Sequence, residues 1–247
     1  MAIKKILISQ HSPRVLTQYN EVTEKFGVTF DFKPFFRVEP LPSRDFRAQR
    51  INLLDYTAVV FSSRHAIDAY FHLAEELRIK IPETMKYFCT TEIVAMYLQK
   101  HIVYRKRKIF FGDGTPEGLV GLIGPKHKAD HFLVTTSDSS AVQALIRHFE
   151  SHNLSYTSGV FIRSVSEDLA GLDINDYDMI VFYNPADIKS LKENFPGFVQ
   201  GDRVMVAYGK AIVGAMEEAG LRVDVKAPTP EAPSAAKAIE LYLESLK

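Results

Sequence analysis

The residues of this chain best placed for chemistry are small hydroxyl and amide groups that follow short β-branched runs. They are Ser9-Gln10-His11-Ser12, Ser62-Ser63-Arg64-His65, Thr90-Thr91, Thr135 through Ser140, Tyr183-Asn184 and Tyr208-Gly209-Lys210. Each group stands where a strand should hand over to a helix. Side-chain oxygens at such points cap helix N-termini. The same turns can instead hold an anion with backbone N–H groups and the helix dipole. Lys plus Arg number 30, as do Asp plus Glu, so no global field draws in a polyanion, a nucleic acid or a membrane surface. An anionic ligand must therefore be held by local donors.

Other chemistries fail on spacing. Gly112-Asp113-Gly114 with Gly118 does not match the dinucleotide fingerprint and reads as a turn. No phosphate-binding loop of the Gly-Lys-Ser/Thr type is present. His127 and His131 are four apart, but Pro125 and the adjoining strand argue against a helical metal pair. The run Tyr104-Arg105-Lys106-Arg107-Lys108 leads straight into a strand and reads as an exposed approach to it. Cys89 is the only cysteine, which excludes an internal disulfide and fits a reducing compartment. It reads as a buried structural thiol.

The elements that must position these turns alternate. Strands are expected near 4–9, 28–38, 58–62, 86–90, 108–112, 131–136, 156–165, 178–184, 203–209 and 222–227, mostly as continuous apolar runs covered on both faces. Ala66, Ile67, Tyr70, Phe71, Ala74 and Leu77 form one helical stripe; Val142, Leu145, Ile146 and Phe149 form another. Gly27, Asn153 and Gly220 each follow a helical segment, where a left-handed residue is expected. Strand and helix in alternation predict α/β architecture with doubly wound parallel sheets.

The chain also repeats itself. Val59 through Tyr70 is echoed by Ile180 through Leu191, Lys86 through Met96 by Met205 through Met216, and Thr115-Pro116-Glu117 by Thr229-Pro230-Glu231. Three echoes in the same order predict a duplicated domain and a ligand cleft between the copies. The 247 residues, 46% hydrophobic, suffice for two cores. A simple duplication divides the chain near residue 125. If the long segments 30–38 and 156–165 are paired crossings, one domain is assembled from both chain ends instead; both divisions remain open on this evidence.

The ordered motifs identify a resemblance to the uroporphyrinogen-III synthase family over nearly the whole chain. Val60-Phe61-Ser62-Ser63-Arg64-His65-Ala66-Ile67 resembles the family's Phe-Thr-Ser-x-Asn-Ala-Val turn, and Val181-Phe182-Tyr183-Asn184-Pro185-Ala186 its Phe-Thr-Ser-Pro-Ser turn. Ala207-Tyr208-Gly209-Lys210 through Glu218-Ala219-Gly220-Leu221 is similar to its Ile-Gly-Pro-Thr-Thr-Ala helix with an Ala-Gly-Leu ending, and Ala227 to Glu231 to its Pro-rich approach to the last helix. The resemblance implies two flavodoxin-like doubly wound parallel-sheet domains joined by a two-stranded β linker. The first combines 1–35 with 168–247, the second covers 39–160, and the linker strands lie near 31–38 and 158–167. It implies a cofactor-free, metal-free cyclisation of hydroxymethylbilane, a linear tetrapyrrole with eight carboxylates, with inversion of the last pyrrole ring. It further implies an enzyme of haem biosynthesis; the balanced charge, single cysteine and lack of a long apolar run lead us to expect a cytoplasmic protein with neither nucleic acid nor membrane as partner, and a monomer is expected.

Carried over position by position, the family's linker Tyr falls on Ile162. The two Thr of Gly-Pro-Thr-Thr fall on Ala211 and Ile212, with Lys210 at the Pro position. The matching Thr of the other domain falls on Glu92 or Thr91, and the Ser after Pro185 is Ala186. Tyr183 and Tyr208, at strand ends, are then the candidate acids. The candidate substrate contacts are Ser9, His11, Ser62, Ser63, Arg64, Thr91, Thr136, Ser137, Asn184, Ala186, Gly209, Lys210 and Ala211. The competing reading is a non-catalytic relative that binds a tetrapyrrole or another anion without turnover. A solute-binding protein ranks third, since no signal peptide is expected.

Overall fold

The computed structural model describes residues 3–137 and 142–246; Asp138, Ser139 and Ser140 of the candidate turn lie outside them. In chain order the first elements are β1 (Lys5–Ile8), α1 (Thr17–Phe26), β2 (Thr29–Phe32), β3 (Phe36–Pro40), α2 (Ser43–Ala48), β4 (Ala58–Phe61) and α3 (Arg64–Glu76). Then come β5 (Lys86–Cys89), α4 (Glu92–Tyr97), β6 (Ile109–Phe111), α5 (Pro116–His127), β7 (Phe132–Ser137), α6 (Gln143–Ser151) and β8 (Tyr156–Ser166). The last are β9 (Met179–Phe182), α7 (Pro185–Asn194), β10 (Val204–Tyr208), α8 (Lys210–Glu218), β11 (Val225–Ala227) and α9 (Ala235–Ser245). Two compact units result: Met1–Arg37 with Val165–Lys247, and Val38–Ser164.

In unit one the strands lie in the order β2-β1-β9-β10-β11, and every pairing is parallel. That is the flavodoxin-like order 2-1-3-4-5, with its topological switch between the first and third strands. The central strands are buried on both sides, which explains their unbroken apolar runs. Ile6 and Ile8 face Val22 of α1 and Ile239 of α9, while Leu7, Ile180 and Phe182 face Ile188 of α7 and Ile212 of α8. Gly27 closes α1 at φ 69°, and its N–H donates to the Thr23 carbonyl. Gly220 (φ 75°) and Asn153 (φ 51°) adopt the same left-handed conformation, as their positions after helices predict.

Unit two holds the order β3-β8-β7-β4-β5-β6. Removing β3 leaves β8-β7-β4-β5-β6, the spatial order of unit one entered at its third strand. Two of the repeats in the sequence occupy equivalent places: β4–α3 matches β9–α7, and β5–α4 matches β10–α8. In the third, Thr115 caps α5 directly, whereas Thr229-Pro230-Glu231 precedes α9, which starts at Ala235 and is capped by Ser234. Val60, Phe88 and Val134 meet α5 and α6 on one face, and Val59, Phe61 and Leu133 meet α3 on the other.

The expected strand over 28–38 is two strands. Proline has no N–H to give a ladder, and Pro34 sits in the break between β2 and β3. β8 is a single strand of 11 residues. Its pairing with β7 slips between Thr136↔Val160 and Ser137↔Ile162, so Phe161 is an extra residue in a bulge. Phe161 and Ile162 consequently both enter the core of unit two. Beside this bulge the Gln49 amide donates to the Val160 carbonyl and its oxygen accepts the Val160 N–H, both at 2.8 Å.

Candidate functional site

At the switch point of unit one, the carboxyl ends of β1 and β9 are joined through Asp187. This carboxyl is fully buried. Its Oδ2 accepts from Ser9 Oγ at 2.7 Å, Tyr183 N at 2.8 Å and Asn184 N at 3.0 Å. Its Oδ1 is buried with no partner. Burial outweighs the three hydrogen bonds and raises the pKa above the ordinary carboxylate value. Asn184 returns the interaction by accepting from Ala186 N at 3.0 Å, which completes a capping box at the start of α7. Ser9 is therefore a buried tie between strands, and Asn184 and Ala186 are members of a cap. The spacing Asn184-x-x-Asp187 was the sequence signal for Asp187, but the link to Ser9 is 178 residues long and has no local trace.

The candidate acids lie together on this edge. The Tyr183 and Tyr208 rings are 5.1 Å apart and tilted by 43°. The Tyr208 hydroxyl donates to the Pro233 carbonyl at 2.8 Å. Tyr183 interacts with the hydroxyl of Tyr19, a residue of α1 that sequence reading missed because nothing local marks it. Burial first, and then Tyr19, hold the Tyr183 hydroxyl protonated far above the ordinary phenol range. Burial likewise raises Tyr19. Tyr19 rests edge-on against Phe30 and Phe32 and borders an open concavity of about 670 Å³. His11, Gln10, Thr17 and Gln18 line the same space.

The N-termini of α1 and α8 have no side-chain cap. At α8, Gly209 adopts φ 117°, a conformation other residues resist, and Lys210 and Ala211 are exposed. Backbone donors and an ammonium thus stand together at the end of β10, the arrangement that binds anions. Ile212, where the family's second Thr falls, is fully buried in the core.

Unit two gives its turns to capping more completely. Ser63 accepts from Ala66 N at 3.1 Å and caps α3; Thr91 accepts from Val94 N at 3.4 Å and caps α4. Thr136 is buried, with its hydroxyl on the Gly159 carbonyl at 3.0 Å. Ser137 ends β7. Ser62 and Arg64 are exposed. The Arg64 guanidinium lies 5.8 Å from the centre of the Tyr97 ring, and the Tyr97 hydroxyl donates to Asp68 at 2.7 Å. Burial works to raise the Asp68 pKa, but hydrogen bonds from Lys100, Tyr97 and His101 outweigh it and leave the pKa lowered.

Cys89 is buried, and burial pushes its thiol up to about 12. His127 bonds to Asp130, while His131 packs on Tyr56. Among the described residues no group of three His, Cys, Asp or Glu could hold a metal ion. No described helix is long and apolar enough to cross a membrane.

Two mostly parallel, doubly wound sheets, one of them entered at its third strand, define a flavodoxin-like α/β protein of two units. A solved structure of that class shares the fold. A mutant uroporphyrinogen III synthase from the extreme thermophile Thermus thermophilus, as a selenomethionine derivative, matches with TM-score 0.53 at 13% identity, covering 98% of each chain. The wild-type enzyme of the same bacterium matches with TM-score 0.47 at 14% identity, again over 98% of each chain. No curated protein sequence matches the chain. The family model described as HEM4, uroporphyrinogen-III synthase HemD, matches residues 17–237. The chain belongs to this family of cyclising lyases.

Proposed function

We propose that this chain is a uroporphyrinogen-III synthase that closes hydroxymethylbilane into uroporphyrinogen III and inverts the last pyrrole ring. The observation that carries the reading is the family match over residues 17–237, which runs through both units and both copies of the repeat. The two units then serve as the family's two domains.

The substrate is an octacarboxylate, and the chain is neutral overall. Its carboxylates need local donors, and the uncapped starts of α1 and α8 supply them. Gly209, Lys210 and Ala211 at α8, with His11 at the concavity of unit one, are the contacts we assign there. In unit two we assign Ser62, Arg64 and Ser137, with Ser63 and Thr91 contributing through the helix starts they cap. Ser9, Thr136, Asn184 and Ala186 act by fixing these turns.

Loss of the substrate hydroxyl forms an azafulvene, and a spiro intermediate allows the last ring to turn over. Holding a flexible chain in the productive fold can lower the barrier by about 7–11 kcal/mol. A proton donor for the leaving hydroxyl adds a factor of roughly 10²–10⁴. Tyr183 is the candidate donor by its place beside Tyr19 at the rim of the concavity, although burial makes it a weaker acid than a free phenol; the Tyr208 hydroxyl is engaged with Pro233. The reaction is assigned to a cytoplasmic monomer that acts on a small molecule, with no cofactor.

Expression in a bacterial strain lacking its own synthase tests the assignment. Rescue of haem-dependent growth is expected. Failure to rescue, with the protein shown to be abundant and soluble in those cells, overturns it.

A further inference from the structure

The sequence set aside the basic run 104–108 as an exposed approach to a strand. In the structure it borders a cavity of about 200 Å³ at the amino ends of β5 and β6. The candidate substrate turns of unit two lie at the opposite, carboxyl edge of the same sheet. The cavity is built mainly from Ile81, Met85, Ile102 and Ile109, with Val103 at its mouth, 78% exposed.

Two polar groups reach this apolar space without a partner. Tyr87 is 4% exposed and lines the cavity, yet its hydroxyl makes no hydrogen bond to any described residue. The hydroxyl is not one of the fully buried atoms left without a partner; water reaches it, and a ligand's head group can take that water's place. Lys108 is half-buried at the rim, and its ammonium pairs with no carboxylate among the described residues. Arg105 is also at the rim, 3.4 Å from Glu83. Two cations against one carboxylate leave a single uncompensated positive charge over an apolar floor. Burial pushes the Tyr87 hydroxyl up to about 12, so it remains a donor at physiological pH.

An apolar hollow with a few convergent polar groups is the usual form of a small-molecule site. We propose that this cavity binds a small apolar carboxylate, its hydrocarbon part among Ile81, Met85, Ile102 and Ile109 and its head group between Lys108 and the Tyr87 hydroxyl. The single excess charge favours a monoanion over a phosphate dianion. The small volume excludes a tetrapyrrole, so this site is separate from the one proposed for catalysis and stands or falls independently of it.

Octanoate is the probe, titrated calorimetrically into the full chain, with octanamide as its neutral counterpart. One saturable site for octanoate is expected. Lys108→Met, which keeps the stem and removes the charge, weakens octanoate by about tenfold or more, the worth of a charge-assisted hydrogen bond, and changes octanamide much less. Val103→Trp closes the mouth from an exposed position that the fold does not depend on, and abolishes binding of both. If Lys108→Met does not fold by circular dichroism, Val103→Trp decides alone. Absence of saturable octanoate binding to the wild type, or wild-type affinity in Val103→Trp, overturns the proposal.

Discussion

Asp187 ties one buried and two half-buried donors to one oxygen, so its replacement by alanine should have a large and calculable effect. The variant strands Ser9 Oγ, Tyr183 N and Asn184 N. A buried donor left unsatisfied costs about 1–3 kcal/mol. Part of the loss is offset, because a buried carboxyl with an orphaned Oδ1 also disappears. Three stranded donors make about 3–9 kcal/mol, and the low end, about 3 kcal/mol, is therefore the expected destabilisation. With a urea m-value of roughly 2 kcal/mol/M, the midpoint falls by about 1.5 M. The chain has no Trp, so far-UV circular dichroism is the readout. Asp187→Asn keeps an oxygen for the same donors and places its amide where Oδ1 had no partner; it should stay within about 0.5 M of wild type at neutral pH.

The two carboxyl states add a pH signature. The folded pKa of Asp187 is raised above 3.8, so between 3.8 and the folded value the native state holds more protons than the unfolded state. Wild-type stability from this group is fully present below 3.8 and is lost as pH rises through that window. Asp187→Asn lacks this slope and should gain on wild type from pH 4 toward pH 7. A midpoint shift below about 0.5 M for the alanine variant, or an asparagine variant that fails to gain with pH, refutes the reasoning.

Three further outcomes are expected. Tyr183→Phe lowers kcat for type III formation by roughly 10²-fold or more with KM nearly unchanged, as steady-state assay should show. Lys210→Ala raises KM about tenfold through one lost charge-assisted contact and leaves kcat within a few-fold; an unchanged KM removes Lys210 from the substrate contacts. Cys89, with its thiol raised to about 12, resists a thiol-specific disulfide reagent at pH 8 in the folded protein and reacts promptly in denaturant.

What the sequence revealed is what local physics writes. Buried parallel strands must be apolar throughout, and the β4 and β9 runs therefore stood out. Helix starts need oxygen caps, so Ser63, Thr91 and Asn184 could be found at their turns. Helix ends need a left-handed residue, which Gly27, Asn153 and Gly220 supplied. The break at Pro34 was not read, because the aromatic run around it looked like one continuous strand, although a proline there removes a ladder donor. Contacts across long sequence distances had no signal. The Ser9–Asp187 tie and the Tyr19–Tyr183 pair arise only when β1 and β9 become neighbours. The bulge at Phe161, which sends Ile162 inward, depends on register with β7. Hydroxyl residues at strand ends could not be sorted from sequence into caps and contacts, because both uses demand the same residue types at the same places.

The central claim is that this protein directs the closure of hydroxymethylbilane. The most direct measurement supplies that substrate from its upstream enzyme, oxidises the products and separates the porphyrin isomers against a control without this protein. A large excess of the type III isomer is expected, formed with Ile162 and Ile212 where the family's Tyr and Thr fall. Type I alone, the product of spontaneous closure, from protein that is folded by circular dichroism would contradict that claim.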